Sequence, residues 1–117
     1  MPTRSLKSNK IGLKGAKAIA KALEVNSALT SLNLYFNDLG AEGGKAIADA
    51  LRVNSALTSL NLSENDLDEE AGKALGAALA VNSALTKLDV QLNSLGGEGK
   101  QALQDAVKGR NGFELLV

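Results

Sequence analysis

Two glycine-rich stretches, GAEGGKA at 40–46 and GGEGKQA at 96–102, are the first places where this sequence could do chemistry. Backbone amides clustered ahead of a lysine can cradle a phosphate. Neither stretch has the glycine spacing of a phosphate loop or a Ser/Thr after its lysine, and both recur in register with GLKGAKA at 12–18. A site needed once has no reason to be repeated, so these glycines read as turns and helix entries. The acidic segment from Glu64 to Glu70 alternates carboxylates as a calcium loop does. It lacks the central glycine and the closing glutamate at the required spacing, and acids are in any case favoured where a helix begins. The remaining carboxylates fall on helix outer faces or in turns, with no shared cleft for paired acid–base work. Histidine and cysteine are both absent, which removes imidazole catalysis, thiol nucleophiles, disulfides and the usual zinc ligands. No catalytic residue, metal or cofactor is expected, and the chain is read as not an enzyme.

Composition narrows the partner. Thirteen basic residues balance 13 acidic ones and aromatics are only 3%, which argues against a nucleic-acid surface. No apolar run approaches the roughly 20 residues that span a bilayer. The start, MPTRSLKSNK, has no secretory apolar stretch, so a cytoplasmic location is expected and the sequon Asn61-Leu62-Ser63 is read as chance. The 117 residues suit one domain.

The elements that would carry any site follow from an internal repeat. ALTSLNLYFNDLGAEGGKAIADALRVNS (28–55) and ALTSLNLSENDLDEEAGKALGAALAVNS (56–83) agree at 19 of 28 positions. Residues 84–111 keep that frame, 1–27 fit it with an eroded start, and 112–117 open a further strand. In this frame Phe113 takes the place of Leu29, and Leu116 that of Leu32. Leu32 and Leu34 straddle Asn33, the alternation of a short strand with one buried face. Ala46, Ile47, Ala50 and Leu51 then lie on one side of a helix, opposite Lys45, Asp49 and Arg52. Alanine recurs at 18, 46, 74, 102 and at 22, 50, 78, 106, which predicts close packing between units. Gly12, Gly40 and Gly96 punctuate the helix entries, where Asp68 acts as an N-cap. Asn26, Asn54 and Asn82 close the helices, consistent with a left-handed residue there. Asn9, Asn37, Asn65 and Asn93 form a ladder past the strands, expected to bond turn backbone that would otherwise be buried unpaired.

The pattern LxxLxLxxNxLGxEGxKAIAxAL at this period resembles leucine-rich repeats of the ribonuclease-inhibitor type, and is similar to those in the arms of NOD-like receptors. The resemblance implies an α/β solenoid of about four units plus a closing strand. Its parallel sheet would lie on the concave face and its helices outside. It also implies non-catalytic recognition of a protein partner on the strand face, in an immune-receptor-like setting.

Positions that vary while the frame repeats are the candidate contacts: Asn33, Tyr35, Phe36, Asn61, Glu64, Asp89, Gln91 and Leu92. Tyr35 and Phe36, two of the chain's three aromatics, stand where the next unit carries Ser63 and Glu64. They read either as an anchor for a partner or as a cover over the turn beneath. Ser31, Ser59, Ser63 and Lys87 share the same free strand face. Residues 1–27 carry a net +5, residues 28–83 a net −5, and the remainder balances. That layout could steer an acidic partner or bring copies together. Pro2 to Ser5 would cap the first unit crudely, whereas the last strand, with Phe113, Leu115, Leu116 and Val117, looks uncapped. It is expected to pair with a second copy as a homodimer, the alternative being that it covers the fourth unit of a monomer. A recognition fragment of a larger receptor-type chain is the further alternative.

Overall fold

The computed structural model describes residues 3–117, so Met1 and Pro2 lie outside the described residues. Five three-residue strands alternate with four helices: β1 (Thr3–Ser5), α1 (Gly12–Val25), β2 (Ser31–Asn33), α2 (Gly40–Leu51), β3 (Ser59–Asn61), α3 (Glu69–Val81), β4 (Lys87–Asp89), α4 (Gly96–Val107) and β5 (Glu114–Leu116). The strands form one parallel sheet in chain order. Each helix is the crossover that a parallel pair requires. Leu32, Leu60 and Leu88 point from successive strands into the core, joined by Leu34, Leu62 and Val90 and by Ile47, Leu51, Leu75, Leu79 and Leu103 from the helices. The α/β leucine-rich-repeat architecture expected from the spacing is therefore present.

The small side chains do what the repeat predicts where a neighbour exists. Ala50 and Ala78 are fully buried. Ala22 of α1, in the same register, is exposed, because among the described residues no helix precedes α1; in the other register Ala46 and Ala74 are half-buried and Ala18 is exposed. Between α3 and α4 the approach is closer still. A Cβ on Gly76 would lie 2.9 Å from the Ala102 carbonyl oxygen.

Two asparagine ladders stitch the units. In the first, the backbone N–H of Asn37 donates to Asn65 Oδ1 at 2.8 Å, and that of Asn65 to Asn93 Oδ1 at 2.8 Å. Asn65 Nδ2 reaches back to the carbonyl of Leu34 at 2.8 Å. This is the bonding to turn backbone that the sequence calls for. In the second ladder the expected left-handed geometry is absent. Asn26 and Asn82 are extended, with φ of −85° and −97°. Their side chains do the work instead. Asn82 Oδ1 accepts from the N–H groups of Ala84 and Leu85, and its Nδ2 donates to the Leu51 carbonyl. Asparagine is selected there as a donor and acceptor in one short side chain, not for tolerance of positive φ.

The last unit departs from the sequence frame. Leu88 pairs with Leu115, and Asp89 with Leu116, a step of 27 residues where the earlier steps are 28. Leu115, rather than Leu116, thus takes the place of Leu32, and Phe113 no longer matches Leu29. Because side chains alternate along a strand, this shift turns Leu116 toward the open sheet face, while Leu115 and Val117 pack on the core. The end is also less bare than expected. Arg110 lies 4.9 Å from the Phe113 ring centroid and covers it.

Candidate functional site

One face of the sheet is free of helices, and it carries the alternate strand positions. Asn33, Asn61 and Asp89 stand in one row across it, paired by register. Each spends a side-chain oxygen on the backbone N–H two residues on: Tyr35 at 3.0 Å, Ser63 at 2.9 Å and Gln91 at 3.0 Å. These bonds turn the chain out of each strand, so the three residues are partly structural. Ser63 is not available at all, being buried with its hydroxyl donating to Asn61 Oδ1 at 2.6 Å. Gln91 is exposed.

Past the strand ends the backbone takes an unusual course. Ser8, Phe36, Glu64 and Leu92 all have positive φ, as do Lys10, Asp38 and Asp66 two residues further on. Aspartate tolerates this conformation, whereas phenylalanine and leucine do so at a steric cost. The result is to lift Phe36 and Leu92 clear of the core. Phe36 is 57% exposed and Leu92 71%. Phe36 therefore does not fold over the turn as a cover. It stands beside Tyr35, with ring centroids 6.0 Å apart and planes tilted by 40°.

These tips border a groove of about 610 Å³ along the strand-to-helix rim, lined by Lys10, Phe36, Asp38, Glu64, Asp66 and Leu92. Three carboxylates face one ammonium there. Hydrogen bonding to Glu64, followed by its negative charge, holds the Tyr35 phenol above its ordinary pKa. Sequence reasoning placed Phe36, Glu64 and Leu92 here but missed Lys10, Asp38 and Asp66. The two aspartates recur within the repeated Asn-Asp-Leu and so read as frame rather than as wall. Their one legible signal was residue type, since aspartate is a natural occupant of left-handed backbone.

The other candidate chemistry is absorbed by the fold. The amides of Gly12 and Gly40 donate to the carbonyls of Asn37 and Asn65, each at 2.9 Å, so these two are spent on the neighbouring unit. Asp68 caps α3 by accepting from the Ala71 N–H at 2.9 Å. Glu69 and Glu70 pair with Lys73 at 3.5 and 3.7 Å, and Glu98 of α4 joins them at 3.4 Å. No group of three or more acidic side chains among the described residues is placed to hold a metal ion. No helix among them is long and apolar enough to cross a membrane.

Comparison with known proteins agrees with this architecture. No curated protein matches the sequence. A solved structure of leiomodin-1 actin-binding site 2 superposes with a TM-score of 0.84 at 24% identity, covering 99% of this chain and 69% of that one. The C-terminal domain of tropomodulin from Caenorhabditis elegans superposes at 0.87 with 11% identity, covering 100% of this chain and 73% of that one. Neither is a NOD-like receptor, and at these identities both speak for the fold alone. The leucine-rich repeat family model matches residues 5–20, 25–48, 53–76 and 81–103, most of the chain, and the chain belongs to the leucine-rich repeat family.

Proposed function

We propose that the chain is a non-catalytic protein-recognition scaffold that engages its partner through the open sheet face and the strand-to-helix rim beside it. One observation carries the reading. Phe36 and Leu92 are held exposed on left-handed backbone at positions where the fold is satisfied by Ser8 and Glu64. Large apolar side chains kept in water at a conformational cost are what an interface anchor looks like. Tyr35, Asn33, Asn61, Asp89 and Gln91 complete the surface.

The likeness to a leiomodin-1 actin-binding site makes actin the first partner to test. Cosedimentation with actin is expected to fall at least about tenfold in a Tyr35→Ala/Phe36→Ala/Leu92→Ala variant, as loss of central anchors does elsewhere. Undiminished binding by that variant would overturn the use of this face.

A second reading is self-assembly through β5, favoured by its position as an edge strand with a neighbour on one side only. Phe113, Leu115, Leu116 and Val117 were the expected contacts. With the register now in view, Leu116→Lys is the selective probe, since Leu115 and Val117 also serve the core. Light scattering on the intact chain, on this variant and on a chain ending at Asn111 separates the readings. A monomeric mass for the intact chain sinks the self-assembly reading.

A further inference from the structure

The rim groove has a shape and a charge pattern that specify its occupant. Phe36, Glu64 and Leu92 occupy equivalent positions in three successive units, so two inter-strand steps separate the apolar tips. At about 4.8 Å a step, the backbone positions that carry them lie roughly 10 Å apart. A polyproline-II segment rises about 3.1 Å per residue and returns to the same side every third residue, placing like-facing side chains about 9.3 Å apart. The two spacings agree. An extended β-type segment, by contrast, turns its first and fourth side chains to opposite sides.

Between the tips the wall is acidic. Glu64 stands in the middle, with Asp38 and Asp66 behind it, both exposed. Lys10 closes the end toward the first unit. A cation carried between two apolar side chains would meet Glu64 and Asp66, and Lys10 would repel a second cation placed beyond Phe36.

We propose that this groove binds a short polyproline-II segment of a protein partner, with aliphatic side chains at positions i and i+3 and a lysine or arginine between them. The aliphatic pair seats on Phe36 and Leu92, and the cation faces Glu64 and Asp66. This inference rests on the recognition reading above and assigns the class of segment it takes.

The probe is acetyl-Leu-Pro-Lys-Leu-amide, titrated into the full chain and followed by amide chemical shifts. Proline holds the residue before it out of helical backbone and so favours the required conformation. Shifts are expected to concentrate at residues 36–38, 64–66 and 92. Two control peptides, one with Glu for Lys and one with Ser for both Leu residues, are expected to bind at least about tenfold more weakly. Glu64→Gln/Asp66→Asn should lose a factor of about 3–10 in affinity together with most of the salt dependence. Leu92→Ala should lose a similar factor and keep the salt dependence.

Equal binding of the Lys and Glu peptides, or shifts elsewhere on the chain, would overturn the proposal. So would a second copy as occupant. Sedimentation would then show a dimer that Asp38→Asn/Asp66→Asn dissociates, with the basic first unit of one copy in the groove of another. The two failures are distinguishable. Actin binding lost in the aromatic variant without charge discrimination among peptides removes only this inference. A partner indifferent to Tyr35, Phe36 and Leu92 removes the scaffold reading and this inference with it, whatever the peptides show.

Discussion

Arg110 donates from Nη1 to the Leu79 carbonyl at 3.0 Å, across the same 31-residue step by which Asn54 reaches Leu23 and Asn82 reaches Leu51. An arginine thus continues an asparagine ladder at the end of the stack. Its second amino group also reaches the Leu85 carbonyl at 2.6 Å, and the guanidinium plane covers Phe113. Removing it leaves two carbonyls short of a donor and uncovers an aromatic edge. Arg110→Ala is expected to cost about 1–3 kcal/mol in urea unfolding, with Arg110→Asn intermediate. An unchanged midpoint for Arg110→Ala would show that it does not cap the stack.

Position along the stack should set the value of otherwise equivalent asparagines. Asn65 is buried, donates to the carbonyls of Leu34, Leu62 and Ser63, and accepts from the N–H groups of Asn37 and Leu39. Asn9, at the open end, is exposed; its side chain donates to the carbonyls of Leu6 and Lys7, while its backbone N–H donates to Asn37 Oδ1 at 2.6 Å. Asn65→Ala is expected to cost about 3 kcal/mol or more, and Asn9→Ala under about 1 kcal/mol. Chemical denaturation of the two variants checks the ratio.

Function and stability should pull apart at Leu92. Its φ of 57° suits glycine, and its side chain buries little. Leu92→Gly is expected to stabilise the chain by about 0.5–1 kcal/mol while weakening partner binding. A lowered melting temperature would mean that Leu92 serves packing rather than recognition.

Tyr35 is the chain's one tyrosine, so its ionisation can be followed by absorbance without interference. Its midpoint should lie above that of a free tyrosine and move down in Glu64→Gln, because the neighbouring carboxylate opposes the phenolate. The raised value in the folded state means that its contribution to stability is present near neutrality. That contribution is lost as pH rises through the folded midpoint. An unshifted midpoint in Glu64→Gln would break the link between these side chains.

Much of this was legible from spacing. A period of 28 with leucines at fixed offsets determines a parallel sheet backed by helices, because only that stacking buries every leucine stripe at once. The first asparagine ladder was equally readable, as a buried turn must find partners for its backbone. The acidic half of the groove was not, since Asp38 and Asp66 repeat with the frame and look like scaffold.

What the sequence determined by itself was the module, its order and the variable columns, all of which depend on local periodicity and the burial it demands. Tertiary structure alone decided the one-residue slip that turns Leu116 outward, the extended backbone of Asn26 and Asn82, and the left-handed turns that lift Phe36 and Leu92 over three carboxylates. Each of these depends on which hydrogen bonds neighbouring units complete for one another. That exchange exists only once the units are stacked, so no single stretch of residues encodes it.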